Sequence, residues 1–445
     1  MSDPKYVAVV GAGPSGLYAA ATLVSSDQVA GVDVLERLPA PYGLVRYGVA
    51  PDHRKTKEVV RILQRPFGDG GKVRFLGNVH IGDGGVPLAR LREHYQAIIH
   101  ATGCPSDRDL GVPGERLAGS VGSAAMVGWY SGHPDHAGLA PSLDHTGAVV
   151  VGAGNVALDI ARVLSLPAEA LAATDIPDSV LDHLAASRVR NVHILIRRGP
   201  QDVKFTPVEL RQLGELDGVD IVVHRPDLVA AAIAASSERR EQVILSVFAG
   251  WAARATTGAD RRIHLHFRCS PTRLEGENGR VRGVVVRSND AGSNQQSGGG
   301  TGRLAAGLVV RAIGYLGKPV DGLPFDASTG TVPNDLGRVN GLPGNYVTGW
   351  LRRGPSGVIG TNRADGGEVA AAVLQDLPAL PEVLRPGPDP VLETFAEYGL
   401  EPVDWQDWLQ LDAGERQLGQ ARGADRVKVA EWTQMLTLCR GSMTA

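Results

Sequence analysis

Two glycine-rich hexapeptides have the spacing of phosphate-binding turns. Gly11-Ala12-Gly13-Pro14-Ser15-Gly16 follows the apolar run at residues 6–10 and precedes a helix-like stretch at 17–23, an order of strand, turn and helix. In such a turn Gly11 permits the sharp reversal, Gly13 lets backbone approach a pyrophosphate, and Gly16 allows helix and strand to pack closely. The helix N-terminus then aims its unpaired N–H groups at the anion. Glu36 closes the next apolar run, 32–35, twenty residues beyond Gly16. A carboxylate there accepts hydrogen bonds from a ribose and disfavours a 2′-phosphate.

The second hexapeptide, Gly152-Ala153-Gly154-Asn155-Val156-Ala157, follows the apolar residues 148–151 and runs into a helix-like stretch at 156–164. Alanine takes the third glycine position. The next strand, 191–196, ends in Arg197-Arg198, and paired guanidiniums suit a phosphate monoester. This points to NADP. The motif-to-arginine interval exceeds the usual ~20 residues, so an insertion at 167–186 must be accommodated between helix and strand. Two unlike dinucleotide sites in one chain imply electron transfer between them.

The elements that position these groups belong to a chain of 445 residues, long enough for about two or three domains. Lys plus Arg is 45 against 48 Asp plus Glu, a net charge of −3, which argues against a nucleic-acid partner. Cys104, Cys269 and Cys439 are too dispersed for a CxxC redox pair and too few for a four-thiolate cluster, so an organic cofactor must carry any electrons. No apolar run reaches ~18 residues, and Met1-Ser2-Asp3-Pro4 lacks the basic start of a leader. A cytoplasmic protein without membrane insertion is expected.

Further segments carry a family resemblance: 41–53 (Pro-Tyr-Gly-Leu-Val-Arg-Tyr-Gly-Val-Ala-Pro-Asp-His), 152–159, 197–200, Phe205-Thr206 with Glu209-Leu210-Arg211, and Gly349-Trp350 through 353–360. With these the chain resembles, over almost its whole length, the adrenodoxin reductase family, including its bacterial ferredoxin–NADP reductases. The resemblance implies FAD at the first site, held by Gly11, Gly13, Ser15, Gly16, Glu36, Leu44, Trp350 and the Gly357, Val358 and Ile359 backbone. It implies NADP(H) at Asn155, Val156, Ala157, Arg197, Arg198 and Glu209, with Arg108 and Gly357 as further contacts and no metal. Gly349-Trp350 stands where related disulfide reductases carry Gly-Asp, which argues against that activity.

The implied fold is α/β, with two doubly wound Rossmann-like dinucleotide-binding domains, the NADP domain inserted in the FAD domain. Apolar strands at 97–99 and 308–313 are each stopped by glycine and mark the crossings. The expected domains are 1–106 and 318–445 for FAD, with a helical tail, and 107–317 for NADP. Residues 288–304, rich in Gly, Ser, Asn and Gln, read as a surface loop.

The expected reaction is NADPH:ferredoxin oxidoreduction, because a flavin accepts hydride and releases electrons singly. Hydride transfer needs no base, so His53 is either a proton relay near the flavin or a structural hydrogen-bonder. Glu209, three residues after Thr206, also fits a capping box. A diaphorase or quinone reductase, or an electron-relay subunit of a larger complex, are the alternatives. The latter, as in the small subunit of glutamate synthase, carries CxxC-rich cluster ligands that this chain lacks. A small acidic ferredoxin is the expected partner, with Arg211, Arg239, Arg240, Arg254, Arg261 and Arg262 as its expected docking face.

Overall fold

The computed structural model describes residues 5–68, 71–290 and 301–441. The chain folds into two compact units, one from Met1–Ser106 with Tyr315–Ala445, the other from Asp107–Gly314. The second crossing therefore falls after Gly314 rather than after residue 317. Gly314 takes φ +110°, a left-handed conformation that ends the strand Leu308–Arg311 without the steric cost a side chain would bring.

In the first unit seven strands run in the order Asn334–Asp335, Arg338–Val339, Asn345–Val347, Ala97–His100, Lys5–Val10, Val29–Leu35, Val73–Leu76. The five from Asn345–Val347 onward pair in parallel. Parallel strands connected by helices are covered on both faces and need apolar residues on both. Lys5–Val10 meets that condition: Val7 and Val9 join one buried cluster with Leu17, Leu23 and Val369. Ala8 and Val10 join another with Leu35, Leu76 and Phe395. The helices Pro14–Leu23 and Ile359–Asp376 touch through Gly366, where a Cβ would lie 2.7 Å from the Ser15 carbonyl oxygen. The tail helices Trp405–Arg422 and Trp432–Cys439 place Trp408, Leu411 and Met435 in the same core, as their apolar spacing suggests.

The second unit is built on six parallel strands in the order Ser120–Gly122, Leu308–Arg311, Gly147–Val151, Asn191–Ile196, Arg261–Phe267, Val219–His224. The long interval after the second glycine turn holds the helices Ala168–Ala172 and Asp178–Ala185. It still returns Asn191–Ile196 beside Gly147–Val151, with Val151 opposite Leu195. A three-stranded antiparallel sheet, Cys269–Glu277, Arg280–Ser288 and Thr301–Ala305, narrows the loop expected at 288–304. Ser288 ends one strand and Thr301–Ala305 forms another, because cross-strand partners such as Arg287 and Val285 supply the ladder bonds that composition did not foretell. The remainder of that loop, 291–300, lies outside the described residues. Among the described residues no helix is long and apolar enough to cross a membrane.

Candidate functional site

At the first turn, packing demands two glycines and space surrounds the third. Gly11 has φ +112°, and a Cβ on it would lie 2.5 Å from the Ala101 carbonyl oxygen. A Cβ on Gly16 would lie 2.1 Å from the Gly11 carbonyl oxygen, whereas one on Gly13 would meet nothing within 4 Å. The helix Pro14–Leu23 begins there with Pro14 in its first turn, where the missing N–H costs nothing. Glu36 clasps the turn: the Ala12 amide donates to its Oε2 at 2.9 Å and the Leu38 amide to its Oε1 at 3.1 Å. Burial raises its pKa above the ordinary value, opposed by those two amides.

The segment from residue 42 lies over this turn. Tyr42 (φ +83°) donates its amide to the Ala12 carbonyl at 2.9 Å, and a Cβ on Gly43 would stand 3.0 Å from Gly13 Cα. Leu44 remains 45% exposed. The helix Leu44–Tyr47 is fixed from below by a pair that no sequence motif announced. Arg46 Nη1 and Nη2 donate to the two Glu415 oxygens at 2.9 and 2.5 Å, with side chains 4% and 0% exposed. Lys428 Nζ donates to the Arg46 carbonyl at 2.6 Å, and the Val429 amide to Glu415 Oε1 at 2.9 Å. His53 sits further on, flanking the helix Arg54–Lys57 at its N-terminus.

A third segment closes on the same helix. Gly349 (φ +72°) approaches Ser15 so closely that a Cβ would lie 2.5 Å from its Oγ. Its amide donates to the buried Asp365 carboxylate at 2.6 Å, and Arg352 Nη1 donates to the other oxygen at 2.7 Å. Ser15 Oγ donates to Asn362 at 3.0 Å. Trp350 stacks on Tyr315, ring centroids 5.8 Å apart, and its Nε1 donates to the Ser356 carbonyl at 3.2 Å. At Gly357 (φ +85°) a Cβ would meet Thr361 Oγ1 at 2.7 Å. Val358, 67% exposed, leads into the helix beginning at Ile359. Thus Gly11 to Gly16, Glu36, the 42–44 segment and the 349–359 segment converge, and Asn362 and Asp365 are positioning residues the sequence reading missed. Both lie within the first two turns of the helix Ile359–Asp376 that follows Gly357, where no pattern marks them.

The second turn repeats the logic. A Cβ on Gly152 would lie 2.2 Å from the Ala312 carbonyl oxygen, while one on Gly154 would meet nothing within 4 Å. Ala157, in the third position, is fully buried. Asn155 opens the helix Asn155–Ser165 beside Val156, and its Oδ1 accepts the Thr206 amide at 2.9 Å. Thr206 in turn accepts the Glu209 amide and caps the helix Pro207–Leu213. The Glu209 carboxylate stands 3.8 Å from Nη1 of buried Arg162, which also pairs with Asp159 at 2.9 Å. Asn155 and Glu209 are therefore brought together by Thr206.

Arg197 and Arg198 follow the strand Asn191–Ile196 and are both exposed. Their carbonyls accept from Asn289 Nδ2 at 3.0 Å and the Arg268 amide at 2.9 Å. Among the described residues neither guanidinium pairs with a carboxylate. Arg108 is half-buried, its amide donating to the Gly314 carbonyl at 3.1 Å. The arginines expected to form one docking face come from several elements: Arg211 from the helix Pro207–Leu213, Arg239 and Arg240 from the helix Arg239–Ala253, and Arg261 and Arg262 from the strand Arg261–Phe267. Arg239 and Arg254 flank the helix Arg239–Ala253, whose 15 residues at 1.5 Å each separate them by about 22 Å. Arg261 is half-buried and donates to the Ser165 carbonyl at 3.3 Å.

Known proteins resemble the chain over nearly its full length. A family model described as pyridine nucleotide-disulphide oxidoreductase matches residues 5–199. NADPH-ferredoxin reductase FprA of Mycobacterium tuberculosis is 40% identical, with 98% of this chain and 100% of that protein covered. The mitochondrial NADPH:adrenodoxin oxidoreductase of Homo sapiens is 38% identical, with 97% and 91% covered. The solved structure of Mycobacterium tuberculosis FprA in complex with NADPH superposes with a TM-score of 0.91 at 39% identity, covering 98% of this chain and 100% of that one. Identity of this order, sustained from end to end and joined to the same three-dimensional course, places the chain in the adrenodoxin reductase family of NADPH-dependent ferredoxin reductases.

Proposed function

We propose that the chain is an FAD-containing NADPH:ferredoxin oxidoreductase, with FAD in the first unit and NADPH in the second. The observation that carries this reading is the contrast between the two turns. Each leaves open space over its central glycine, but one is clasped by the Glu36 carboxylate and the other lies beside the strand that ends in two exposed arginines that pair with no carboxylate among the described residues. A pyrophosphate fits over Gly13, where the first amides of the helix point, and the carboxylate oxygens of Glu36 keep lone pairs for ribose hydroxyls. Ser15, Leu44, Trp350, Gly357, Val358 and Ile359 line the rest of the FAD site in this reading. Asn155, Val156, Ala157, Glu209, Arg108 and Gly357 are assigned to the nicotinamide nucleotide.

The flavin, when bound, accepts two electrons as hydride and returns them singly, a conversion no side chain performs. The chain's residues bind and align. Gly349 and Gly357 keep side chains out of the space where backbone must approach a ring, and Trp350 offers an aromatic face held by Tyr315. His53 is assigned the role of a proton relay. Because hydride transfer needs no base, losing it leaves that step intact. A small acidic ferredoxin receives the electrons, and the absence of any disulfide among the described residues, which include all three cysteines, suits the reducing cytoplasm.

The test is reduction of purified small ferredoxins by NADPH with the yellow holoenzyme. Brisk quinone turnover with no ferredoxin reduced would replace this reading with a quinone reductase. A more local expectation concerns Gly16→Val. The added methyl groups collide with backbone at the Gly11 carbonyl, so the variant should purify colourless, without visible flavin absorbance, while retaining helical circular dichroism. A yellow variant with normal flavin content would move FAD away from this turn.

A further inference from the structure

Residues 54–65 of the first unit carry a charge that cofactor binding leaves unused. Arg54, Lys55, Lys57, Arg61 and Arg65 stand there against one acid, Glu58, in a chain whose net charge is −3. The helices Arg54–Lys57 and Val60–Leu63 and the 3-10 turn Arg65–Phe67 divide the stretch. Glu58, Val59 and Gln64 between them keep right-handed helical angles, so the three run on as one helical course. On a turn of 3.6 residues, Arg61 and Arg65, seven and eleven residues after Arg54, return to within about 20° of its direction. The three arginines therefore share one face, spread over about 16 Å of axis.

The opposite face is held down. Leu63 and Phe67 are buried in the core of the first unit, with Val59 and Val60 packed against it. The Phe67 ring stacks on Trp405 of the tail helix Trp405–Arg422, centroids 4.4 Å apart. The cations are thus displayed on a fixed support. Arg54, Lys55, Arg61 and Arg65 are exposed and Lys57 is half-buried. Arg54 stands 3.5 Å from Asp425, both side chains more than half exposed, a pair worth little in water. Among the described residues Lys55, Arg61 and Arg65 pair with no carboxylate. Ile62 adds one exposed apolar side chain beside them.

We propose that this face is the docking surface for the small acidic ferredoxin, an inference that rests on the reading of the chain as a ferredoxin reductase. The kind of partner follows from the charge: a rigid row of cations attracts and orients a surface of carboxylates. One exposed apolar residue among five cations is too little to enter a lipid surface. The placement follows from the chain. Gly48 ends the segment over the Gly13 turn, and six residue steps from there to Arg54 span at most about 22 Å. The His53 amide, donating to the Ala50 carbonyl at 3.1 Å, folds that link further. A partner seated on the stretch is therefore held close to the turn assigned to FAD. Each docking passes one electron, so two oxidised ferredoxins are reduced for each NADPH, which leaves as NADP⁺ with release of a proton. The arginines of the second unit, by contrast, come from separate elements.

The yellow holoenzyme is assayed with NADPH and two purified acidic ferredoxins as probes, one [2Fe–2S] and one [4Fe–4S]. Wild type is compared with Arg61→Glu plus Arg65→Glu, and with Arg239→Glu plus Arg240→Glu. Reversal at Arg61 and Arg65 should lower kcat/KM for ferredoxin about tenfold or more and flatten its decline with added salt. NADPH should still bleach the flavin of that variant at the wild-type rate. Ferredoxin turnover unchanged by this reversal, or a loss confined to the Arg239 and Arg240 variant, overturns the proposal and leaves the reductase reading in place. A wild type that reduces neither ferredoxin overturns both. Binding to phosphatidylserine vesicles that disappears on reversal at Arg61 and Arg65, with ferredoxin turnover unchanged, would reassign the face to anionic lipid. If that variant loses its flavin, Arg61→Gln plus Arg65→Gln decides, with a loss of about threefold expected.

Discussion

Glu415→Ala should destabilise the first unit by about 3–5 kcal/mol, the cost of stranding a buried charge. Arg46, 4% exposed, loses both bonds to a carboxylate that is itself 0% exposed, and the Val429 amide loses its acceptor as well. Alanine offers neither charge nor hydrogen bond, and the cavity it leaves is too enclosed for bulk water to compensate. The 42–48 segment rests on this pair and lies over the Gly13 turn, so FAD retention should fall with stability. Denaturant unfolding monitored by tail tryptophan fluorescence, together with flavin release, measures both. Combining Arg46→Met with Glu415→Leu should recover most of the stability, because replacing a buried ion pair by apolar groups is often neutral. A loss under about 1 kcal/mol in Glu415→Ala, the range of an exposed pair, would mean that the tail is not anchored through this contact.

Arg197→Ala and Arg198→Ala should each reduce NADPH use by about one to two powers of ten while leaving NADH nearly unchanged. A hydrogen bond to an ionised group contributes about 1.5–3 kcal/mol, and both guanidiniums are exposed and uncommitted to any carboxylate among the described residues. They are therefore available to a 2′-phosphate. The ratio of kcat/KM for NADPH to that for NADH is the measurement, since a folding defect lowers both terms together. An unchanged ratio in both variants would leave the arginines as an exposed strand end and remove the main physical support for NADP at the second site.

Sequence alone determined what is local. A glycine turn between an apolar strand and a helix is a constraint on a few backbone angles and a few contacts, all within some thirty residues. Gly11, Gly13, Gly16 and Glu36 could thus be read from spacing, and so could Gly152 and Gly154. The doubly wound sheets were legible for the same reason: strands buried on both faces must be apolar throughout. The resemblance of motifs added the family.

Tertiary structure decided what depends on partners far along the chain. Arg46 and Glu415 are 369 residues apart, and nothing in a helix of mixed polarity marks Glu415 as buried. Only the docking of the tail removes it from water. Thr301–Ala305 looks like loop by composition, yet becomes a strand because Arg280–Ser288 offers it a ladder. Two of the arginines grouped by charge, Arg239 and Arg254, lie at opposite ends of one helix, and the others come from different elements, since charge content carries no direction in space. His193, His264, His266 and His224 come from three strands that only the sheet order brings side by side. A side chain's chemistry is written in its type, but its burial, and hence its charge state and available partners, is set by whichever surface the rest of the chain lays against it.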